Sequence, residues 1–333
     1  MNKTIGLATL ATVAAIAAQP AHAQGTPKAA DVNAVTLVDA FEGVFGKRDG
    51  FRRSGAKGVC AKGVFTGAKE GAALSSASAF SGKPVPAILR FSVGGGNPNA
   101  PENVSSVRGL AVQLDLPGGE QWLQANISTP VFTAATPESM QAFLDARKID
   151  PATGKADPAK VAAATAANPD QKAQPEFLKG RGVPTSYGAV NYWGVNAFKV
   201  TNKKGQSNFV RWVYEPVGGE ELMPAATAAD RPTVFLADEL KGRVGQIPVN
   251  FTLKFQLAEK GDPTNNPTVL WPAERKTVVA GNLEVTSVEP AEVCNSINFN
   301  PLVLPKGIEA SDDPVLLARP GAYAVSQSRR LSK

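Results

Sequence analysis

An arginine and a tyrosine near the end of the chain have a spacing that lets their side chains act together. Arg319 and Tyr323 lie four residues apart, so on a helix both project from one face. The guanidinium can then donate a hydrogen bond to the phenol oxygen and favour the phenolate, the form that can bind a metal ion. Arg330, seven residues after Tyr323, falls on the same face and can reach an acidic group of a ligand. Alone, a pair with this spacing is more often a surface contact, so its sequence context decides its meaning.

The chain has one histidine, His22, and it lies in a predicted signal peptide. Residues 1–23 contain Lys3, an uncharged apolar run at 5–18 and an A-x-A cleavage site at 21–23. A membrane anchor is the alternative, but the run is shorter than the ~20 residues a spanning helix needs. We therefore expect a periplasmic or secreted protein that starts at Gln24 and has no histidine. This excludes a His-ligated heme, a His-containing zinc site and a Ser-His-Asp unit.

The charge of the chain predicts a soluble protein with an anionic small ligand. The formal net charge is +6, and the basic residues are spread along the sequence without a basic block. We therefore expect no nucleic-acid partner, and no second apolar run is long enough to span a membrane. A homo-oligomer is compatible with the sequence.

Hydrophobic periodicity predicts two groups of four strands, separated by a polar stretch. The predicted strands are 57–66, 86–93, 109–116, 121–128, 193–201, 207–216, 248–258 and 276–288. The predicted helices are 32–45, 137–148, 158–167, 233–244 and 312–330. This order indicates an α+β protein, in which eight antiparallel strands close into a barrel with surrounding helices and can hold one ligand. The last helix is the element that must carry Arg319 and Tyr323 to the barrel.

The two cysteines, Cys60 and Cys294, lie far apart in the sequence. In an oxidising compartment they could form one disulfide. Two buried free thiols are the alternative, and the sequence leaves both open because the geometry decides.

Several motifs precede Arg319 and Tyr323: CNSINFNP at 294–301, PKGIE at 305–309 and DDP at 312–314. Together they resemble the proximal segment of heme catalases, most closely that of short exported catalase-related peroxidases. The resemblance runs from about Phe45 to the end and implies a heme b domain at 45–333 without the C-terminal helical extension of large catalases. Residues 24–44 would form a lead-in and a helix. The resemblance also implies that Tyr323 is the axial iron ligand and that Asp313 supports Arg319.

Other family motifs follow in the same order as in the family. They are RFS at 90–92, VRGLA at 107–111, STPVF at 128–132, WGVNAFK at 193–199 and WP at 271–272. The resemblance implies that Arg52, Arg90 and Arg330 contact the heme propionates and that Ser92 and Ser128 lie on the distal side. Asn196 stands where many large catalases have a histidine; it either supports Arg319 or is a polar strand residue. Phe91, Phe132 and Trp193 are expected to pack rather than to transfer electrons.

The distal motif departs from the family. Residues 52–58 read RRSGAKG where the family has H-A-K-G, so Gly55 takes the position of the essential histidine. A peroxide bound to ferric heme must lose a proton from its near oxygen and gain one on its far oxygen, and a positioned base does both. Gly55 provides no base, and Ser128 stands where large catalases use asparagine.

The resemblance and this departure together imply a periplasmic heme peroxidase. Its substrates would be organic peroxides or hydrogen peroxide, used with an electron donor, and its catalase activity would be weak or absent. A non-catalytic heme-binding or sensing protein is the alternative. A heme-dependent isomerase of fatty-acid hydroperoxides is a third interpretation that no residue selects.

Overall fold

The computed structural model describes Met1 and residues 31–332. The chain divides into two units, Met1–Asp31 and Val32–Lys333, and the described helices and strands belong to the second unit. Apart from Met1, the predicted signal peptide at 1–23 lies outside the described residues. None of the helices in the described part of the chain is long and apolar enough to cross a membrane.

The strands in chain order are β1 (Gly58–Gly67), β2 (Pro84–Val93), β3 (Arg108–Asp115), β4 (Gln121–Ile127), β5 (Val183–Pro184), β6 (Tyr192–Thr201), β7 (Ser207–Pro216), β8 (Leu222–Met223), β9 (Val249–Leu257), β10 (Thr277–Glu289) and β11 (Ile308–Ala310). The helices are α1 (Ala34–Phe45), α2 (Lys69–Leu74), α3 (Pro137–Asp145), α4 (Pro158–Ala167), α5 (Ala173–Leu178), α6 (Ala225–Ala229), α7 (Leu236–Val244), α8 (Glu292–Asn295) and α9 (Pro314–Leu331). Short 3-10 turns lie at Ser78–Phe80, Pro117–Gly119, Pro169–Lys172 and Tyr187–Ala189.

Eight of these strands close into an antiparallel barrel. Their order is β1-β2-β3-β4-β6-β7-β9-β10, and β10 returns to pair with β1. Strand β11 pairs with β6, and β5 pairs with β8 in a separate small sheet. The predicted α+β fold with an eight-stranded barrel is confirmed, and each long strand falls where the periodicity predicts it.

Alternation along the strands decides which side chains face the barrel interior. On β9, Val249, Phe251, Leu253 and Phe255 are buried, while the residues between them are partly exposed. The same rule applies to β2, where every second residue up to Phe91 is buried in the same core. The intervening residues of β2 therefore point to the outer face of the barrel. Arg90 and Ser92 belong to that outer set.

Helix α9 begins two residues later than its periodicity predicts. Asp313 is its N-cap, because Oδ1 of Asp313 accepts hydrogen bonds from the backbone N–H groups of Val315 and Leu316 at 2.9 and 3.2 Å. Pro314 takes the first helical position, where a missing N–H group costs nothing.

Helix α1 holds the far end of α9. The two helices pack together, and Arg329 on α9 forms ion pairs with Asp39 and Glu42 on α1 at 2.7 and 2.9 Å. Glu42 also pairs with Arg53, just before β1, at 2.6 Å. These contacts fix the last turns of α9 against the segment that leads into the barrel.

A disulfide joins the barrel to the short helix α8. Cys60 on β1 is bonded to Cys294, with their Cα atoms 5.9 Å apart, and both residues are buried. Of the two alternatives that the sequence leaves open, the structure has the disulfide.

Candidate functional site

Arg319 and Tyr323 project from the same face of α9, as their spacing predicts. Nη2 of Arg319 donates a hydrogen bond to the Tyr323 hydroxyl oxygen over 2.5 Å. Nη1 of Arg319 donates to Oδ1 of Asn196 over 3.0 Å, and Nδ2 of Asn196 donates to Oδ2 of Asp313 over 2.7 Å. These four side chains therefore form one hydrogen-bonded chain that ends on the phenol.

Asn196 reaches Arg319 from an irregular stretch of β6. The register between β6 and β7 shifts between Gly194 and Phe198, and such irregularities re-aim side chains next to functional sites. Its two contacts show that the buried Asn196 supports Arg319 rather than serving only as a polar strand residue. Among the hydrogen bonds of the described residues, Asp313 is linked to Arg319 through Asn196.

Asp313 anchors this hydrogen-bonded chain to the start of α9. Its side chain is fully buried, and one carboxylate oxygen caps the helix while the other accepts from Asn196. Burial raises the pKa of Asp313, although the hydrogen bonds from Asn196 and the helix N–H groups and the charge of Arg211 act in the opposite direction. Both ends of the chain of bonds thus lie on α9, which fixes the orientation of Arg319.

Three further arginines lie together at the site, and in the described residues their hydrogen bonds go to main-chain carbonyls. Nη2 of Arg52 donates to the carbonyls of Cys294 and Ile297, both at 2.9 Å. Arg90 donates to the Ala56 carbonyl at 3.2 Å, and Arg330 donates to the Asn295 carbonyl at 2.8 Å. Nε of Arg330 is buried without a partner.

The charges of these arginines act on one another. Burial, together with the charges of Arg90 and Arg330, lowers the pKa of Arg52 to about 9, while Tyr323 acts in the opposite direction. Burial and the charge of Arg330 lower the pKa of Arg90 to about 10, against an opposing contribution from Tyr187. The site therefore concentrates positive charge beside the phenol of Tyr323, and an anionic ligand would relieve it.

In the described residues, Arg52, Arg90 and Arg330 have neither a carboxylate partner nor the three main-chain acceptors of Arg108 and Arg211. Arg53 and Lys57 pair with Glu42 and Glu102 at 2.6 and 2.9 Å. Arg108 and Arg211 also lack a carboxylate partner in the described residues, but each donates to three main-chain carbonyls. Arg90 has one such bond.

Gly55 lies against the outer face of β2. Its φ of +64° is in the left-handed region, which favours glycine. A β-carbon at this position would lie 3.1 Å from Oγ of Ser92 and 3.6 Å from Nη1 of Arg90. Ser92 in turn lies against Gly109 of β3, its register partner. The structure therefore brings Gly55 and Ser92 together with Arg90.

Ser128 and Lys57 are engaged elsewhere. Oγ of Ser128 accepts a 2.8 Å hydrogen bond from the backbone N–H of Arg108, and the side chain is buried. Nζ of Lys57 lies 2.9 Å from Oε1 of Glu102 and 2.8 Å from the Ala100 carbonyl. Ser128 therefore binds the residue that directly precedes Gly109. The Lys57 ammonium is paired with the Glu102 carboxylate.

The main-chain partners of the arginines have no sequence signal. The carbonyls of 294–297 hold Arg52 and Arg330, and the ring of Phe299 lies 5.4 Å from the Arg52 guanidinium carbon. The motif at 294–301 contains all of these groups, so the resemblance marks the segment but not what it contacts.

Comparison with known proteins identifies relatives over most of the chain. The catalase family model matches residues 18–333. The chain is 41% identical to a catalase-related peroxidase of Synechococcus elongatus, over 88% of this chain and 87% of that protein. It is 32% identical to a catalase-related peroxidase of Mycolicibacterium paratuberculosis, over 88% of this chain and 93% of that protein.

Solved catalases share the fold. A fungal catalase superposes with a TM-score of 0.77 at 22% identity, and catalase A from Saccharomyces cerevisiae with a TM-score of 0.75 at 23% identity. The matches cover 86% and 85% of this chain but only 60% and 61% of those structures. The chain therefore spans less than two thirds of the catalases it superposes on.

Proposed function

The chain belongs to the catalase family, and we propose that it is a heme-dependent peroxidase that reduces organic peroxides or hydrogen peroxide. Both catalase-related peroxidases named above match along most of their own length. The observation that carries the proposal is the hydrogen bond from Arg319 to Tyr323 beside the buried Arg330 and the half-buried Arg52 and Arg90, which have no carboxylate partner in the described residues.

The side chains of the site fit heme b, which has one iron and two carboxylates. Tyr323 would bind the iron as a phenolate, and the guanidinium of Arg319 would stabilise that charge. Arg52, Arg90 and Arg330 would neutralise the propionates, which is consistent with their lack of a carboxylate partner in the described residues. Heme would supply a Lewis-acidic, redox-active iron for the peroxide.

Arg319 needs a fixed orientation for this role, and the chain provides it. One guanidinium nitrogen faces Tyr323 and another faces Asn196, which is held by the buried Asp313. The guanidinium therefore cannot turn away from the phenol without breaking bonds to buried partners. Those partners would lose hydrogen bonds that water cannot replace.

On the distal side, we propose that weak proton transfer limits the reaction. A positioned base typically contributes ~10²–10⁴ in rate, and Gly55 has none. Ser92 can donate a hydrogen bond but cannot act as a base near neutral pH, and the Lys57 ammonium is paired with Glu102. The proton would move through water or through the substrate itself. We therefore expect little or no catalase activity and slow turnover of peroxides.

We further propose that the protein works in the periplasm after removal of residues 1–23. The disulfide between Cys60 and Cys294 supports this proposal, because disulfides persist in oxidising compartments. The partners would be a small peroxide and an electron donor.

Steady-state kinetics test the proposed activity. Heme-loaded protein is compared with free hemin at the same heme concentration, with hydrogen peroxide or an organic hydroperoxide and an aromatic electron donor. We expect the protein to react faster than hemin, and faster with the organic hydroperoxide. A rate equal to that of free hemin would contradict the peroxidase proposal.

A non-catalytic heme-binding or sensing protein is the second candidate. It is favoured by the lack of a base at Gly55 and by the ion pair that holds Lys57. Tight heme binding with the reactivity of free hemin would support this candidate over the peroxidase.

A further inference from the structure

A short main-chain segment outside the barrel holds two of the buried arginines. We name residues 294–297 the carbonyl segment, because all four of its carbonyl groups accept hydrogen bonds from side chains of other elements. The donors are Arg52 to residues 294 and 297, Arg330 to residue 295 and Gln327 to residue 296, at 2.8–2.9 Å. The carbonyl segment therefore sets where the Arg52 and Arg330 guanidinium groups lie.

The carbonyl segment has little regular structure of its own. Helix α8 has only 4 residues, too few for a helix to be stable in isolation. The Cys294 carbonyl also accepts the N–H of Ile297 at 3.1 Å, so Arg52 is a second donor to it, while the carbonyls at the end of so short a helix can accept bonds from side chains.

The disulfide fastens this segment to the barrel at the site itself. Cys294, the first residue of the carbonyl segment, is bonded to Cys60 on β1. Cys60 lies directly opposite Arg90 in the register of β1 and β2. The two cysteines and Phe299 form a small buried apolar cluster against the outer face of the barrel. The bond thus ties the partners of Arg52 and Arg330 to the strand beside Arg90.

We propose that the Cys60–Cys294 disulfide is a positioning element of the heme site, which holds the carbonyl segment so that Arg52 and Arg330 face the heme carboxylates. The inference rests on the proposed heme binding. Without the disulfide, the carbonyl segment loses its covalent anchor. The like charges of Arg52, Arg90 and Arg330 then drive the guanidinium groups apart, while the barrel strands keep their own pairing.

The test compares two ligands, heme and heme dimethyl ester, in which the carboxylates carry no charge. The proteins are the wild type and the double variant Cys60→Ala/Cys294→Ala. In the wild type we expect tighter binding of heme than of the ester. In the double variant we expect heme affinity to fall by about 10- to 100-fold, as for one or two charge-assisted hydrogen bonds, and ester affinity to change little.

A second measurement follows the apoprotein. Hydrogen exchange of a peptide that covers 292–299 should become faster in the double variant by a larger factor than exchange in β1 and β2. Leu240→Ala, which opens a cavity in the buried core at α7, is the control for general destabilisation. It should leave the ratio of heme to ester affinity as in the wild type.

The outcomes separate this inference from the proposed function. A wild-type protein that binds no heme would overturn both. A wild type that binds heme, with an unchanged ratio of heme to ester affinity in the double variant, would overturn the inference alone. If the double variant does not fold, heme and ester binding are compared in the wild type with and without a reductant, and an unchanged ratio of affinities would overturn the inference.

Discussion

The arginines beside Tyr323 each donate to one or two main-chain carbonyls in the described residues, fewer than the three that Arg108 and Arg211 bind. Arg53 and Lys57 have carboxylate partners, whereas Arg52, Arg90 and Arg330 donate to carbonyl groups in the described residues. A buried charge without a counter-charge is costly, so a protein keeps it where a ligand supplies the opposite charge. The cost that these arginines impose on the folded apoprotein is thus consistent with a site for a dianionic cofactor.

Gly55→His tests the role of the missing base. We expect the reaction with hydrogen peroxide to become faster by ~10²–10⁴, because imidazole can move the proton between the peroxide oxygens. The backbone at Gly55 has φ of +64°, so any side chain here costs about 1–2 kcal/mol of strain. Gly55→Asn is the matched control, since it has a side chain tolerated in this region but no base. Equal rates in both variants would show that peroxide chemistry does not depend on this position.

Asn196→Ala tests the link between Asp313 and Arg319. The variant leaves Nη1 of Arg319 and Oδ2 of Asp313 without their partner. We expect the free energy of unfolding to fall by about 1–3 kcal/mol, measured by urea denaturation. Asn282→Ala, at an exposed position of β10, should cost about 0.5 kcal/mol or less. Similar losses in both variants would contradict a structural role for the link.

The sequence predicts some contacts of these residues and not others. Arg319 and Tyr323 are predictable as a pair because they lie on one helix, where spacing fixes direction. The contact between Asn196 and Arg319 spans 123 residues and depends on an irregular stretch of β6. The carbonyl partners of Arg52 are not predictable at all, because every residue has a carbonyl and only the fold selects which ones are used.

Among the helices and strands, the length of an element decides whether the sequence predicts it. The barrel strands are predicted because each has seven or more residues rich in strand-forming types, and some, such as β9, also show the alternation of a buried face. The short elements β5, β8, β11 and α8 are not, because two to four residues carry no readable period. Helix α7 is predicted from 233 but begins at Leu236, because the N–H groups at its start are bound by a side chain from elsewhere in the chain, Glu102.

Glu102 makes the stability of this region depend on pH. Its Oε2 accepts from the N–H groups of Phe235 and Leu236 at 2.5 and 2.7 Å. Burial opposes the charge of Glu102, but these bonds and Lys57 lower its pKa below the usual value of 4.5. A lowered pKa in the folded state means that the stabilisation is present above pH 4.5 and is lost as the pH falls through the lowered value.

We therefore expect Glu102→Gln to be less stable than the wild type by about 1–3 kcal/mol at pH 7. The difference should shrink as the pH falls through the lowered pKa of Glu102, because the wild-type carboxyl then becomes protonated as well. Urea denaturation at several pH values measures it. Glu284→Gln, which removes the same charge from an exposed position of β10, is the control. A difference that does not shrink as the pH falls from 7 to the acid limit of the folded protein would contradict this role of Glu102.

At the scale of the whole molecule, the site is assembled from distant parts of the chain. Arg52 precedes β1, Arg90 lies on β2, and Tyr323 and Arg330 lie on α9. The disulfide joins residues 234 positions apart and so links the first strand to the segment before α9. The resemblance to catalases predicts the members of the site, whereas their mutual contacts follow from the closure of the barrel and the packing of α9 on α1.

The disulfide should also stabilise the fold as a whole, because it restricts the unfolded chain over a long loop. We expect its reduction to lower the free energy of unfolding by about 2–5 kcal/mol. Urea denaturation with and without a reductant measures this loss. In Cys60→Ala/Cys294→Ala the reductant should change nothing. A wild-type midpoint that is the same under both conditions would contradict the expectation.

We propose that Tyr323 binds the heme iron. The most direct test is the optical spectrum of the ferric heme-loaded protein, compared between the wild type and Tyr323→Phe. Tyr214→Phe, which removes a phenol bonded to Gln124 inside the barrel, is the control. We predict a high-spin spectrum of the phenolate-ligated type in the wild type and the control, and its loss in Tyr323→Phe. The same spectrum in all three proteins would contradict the claim.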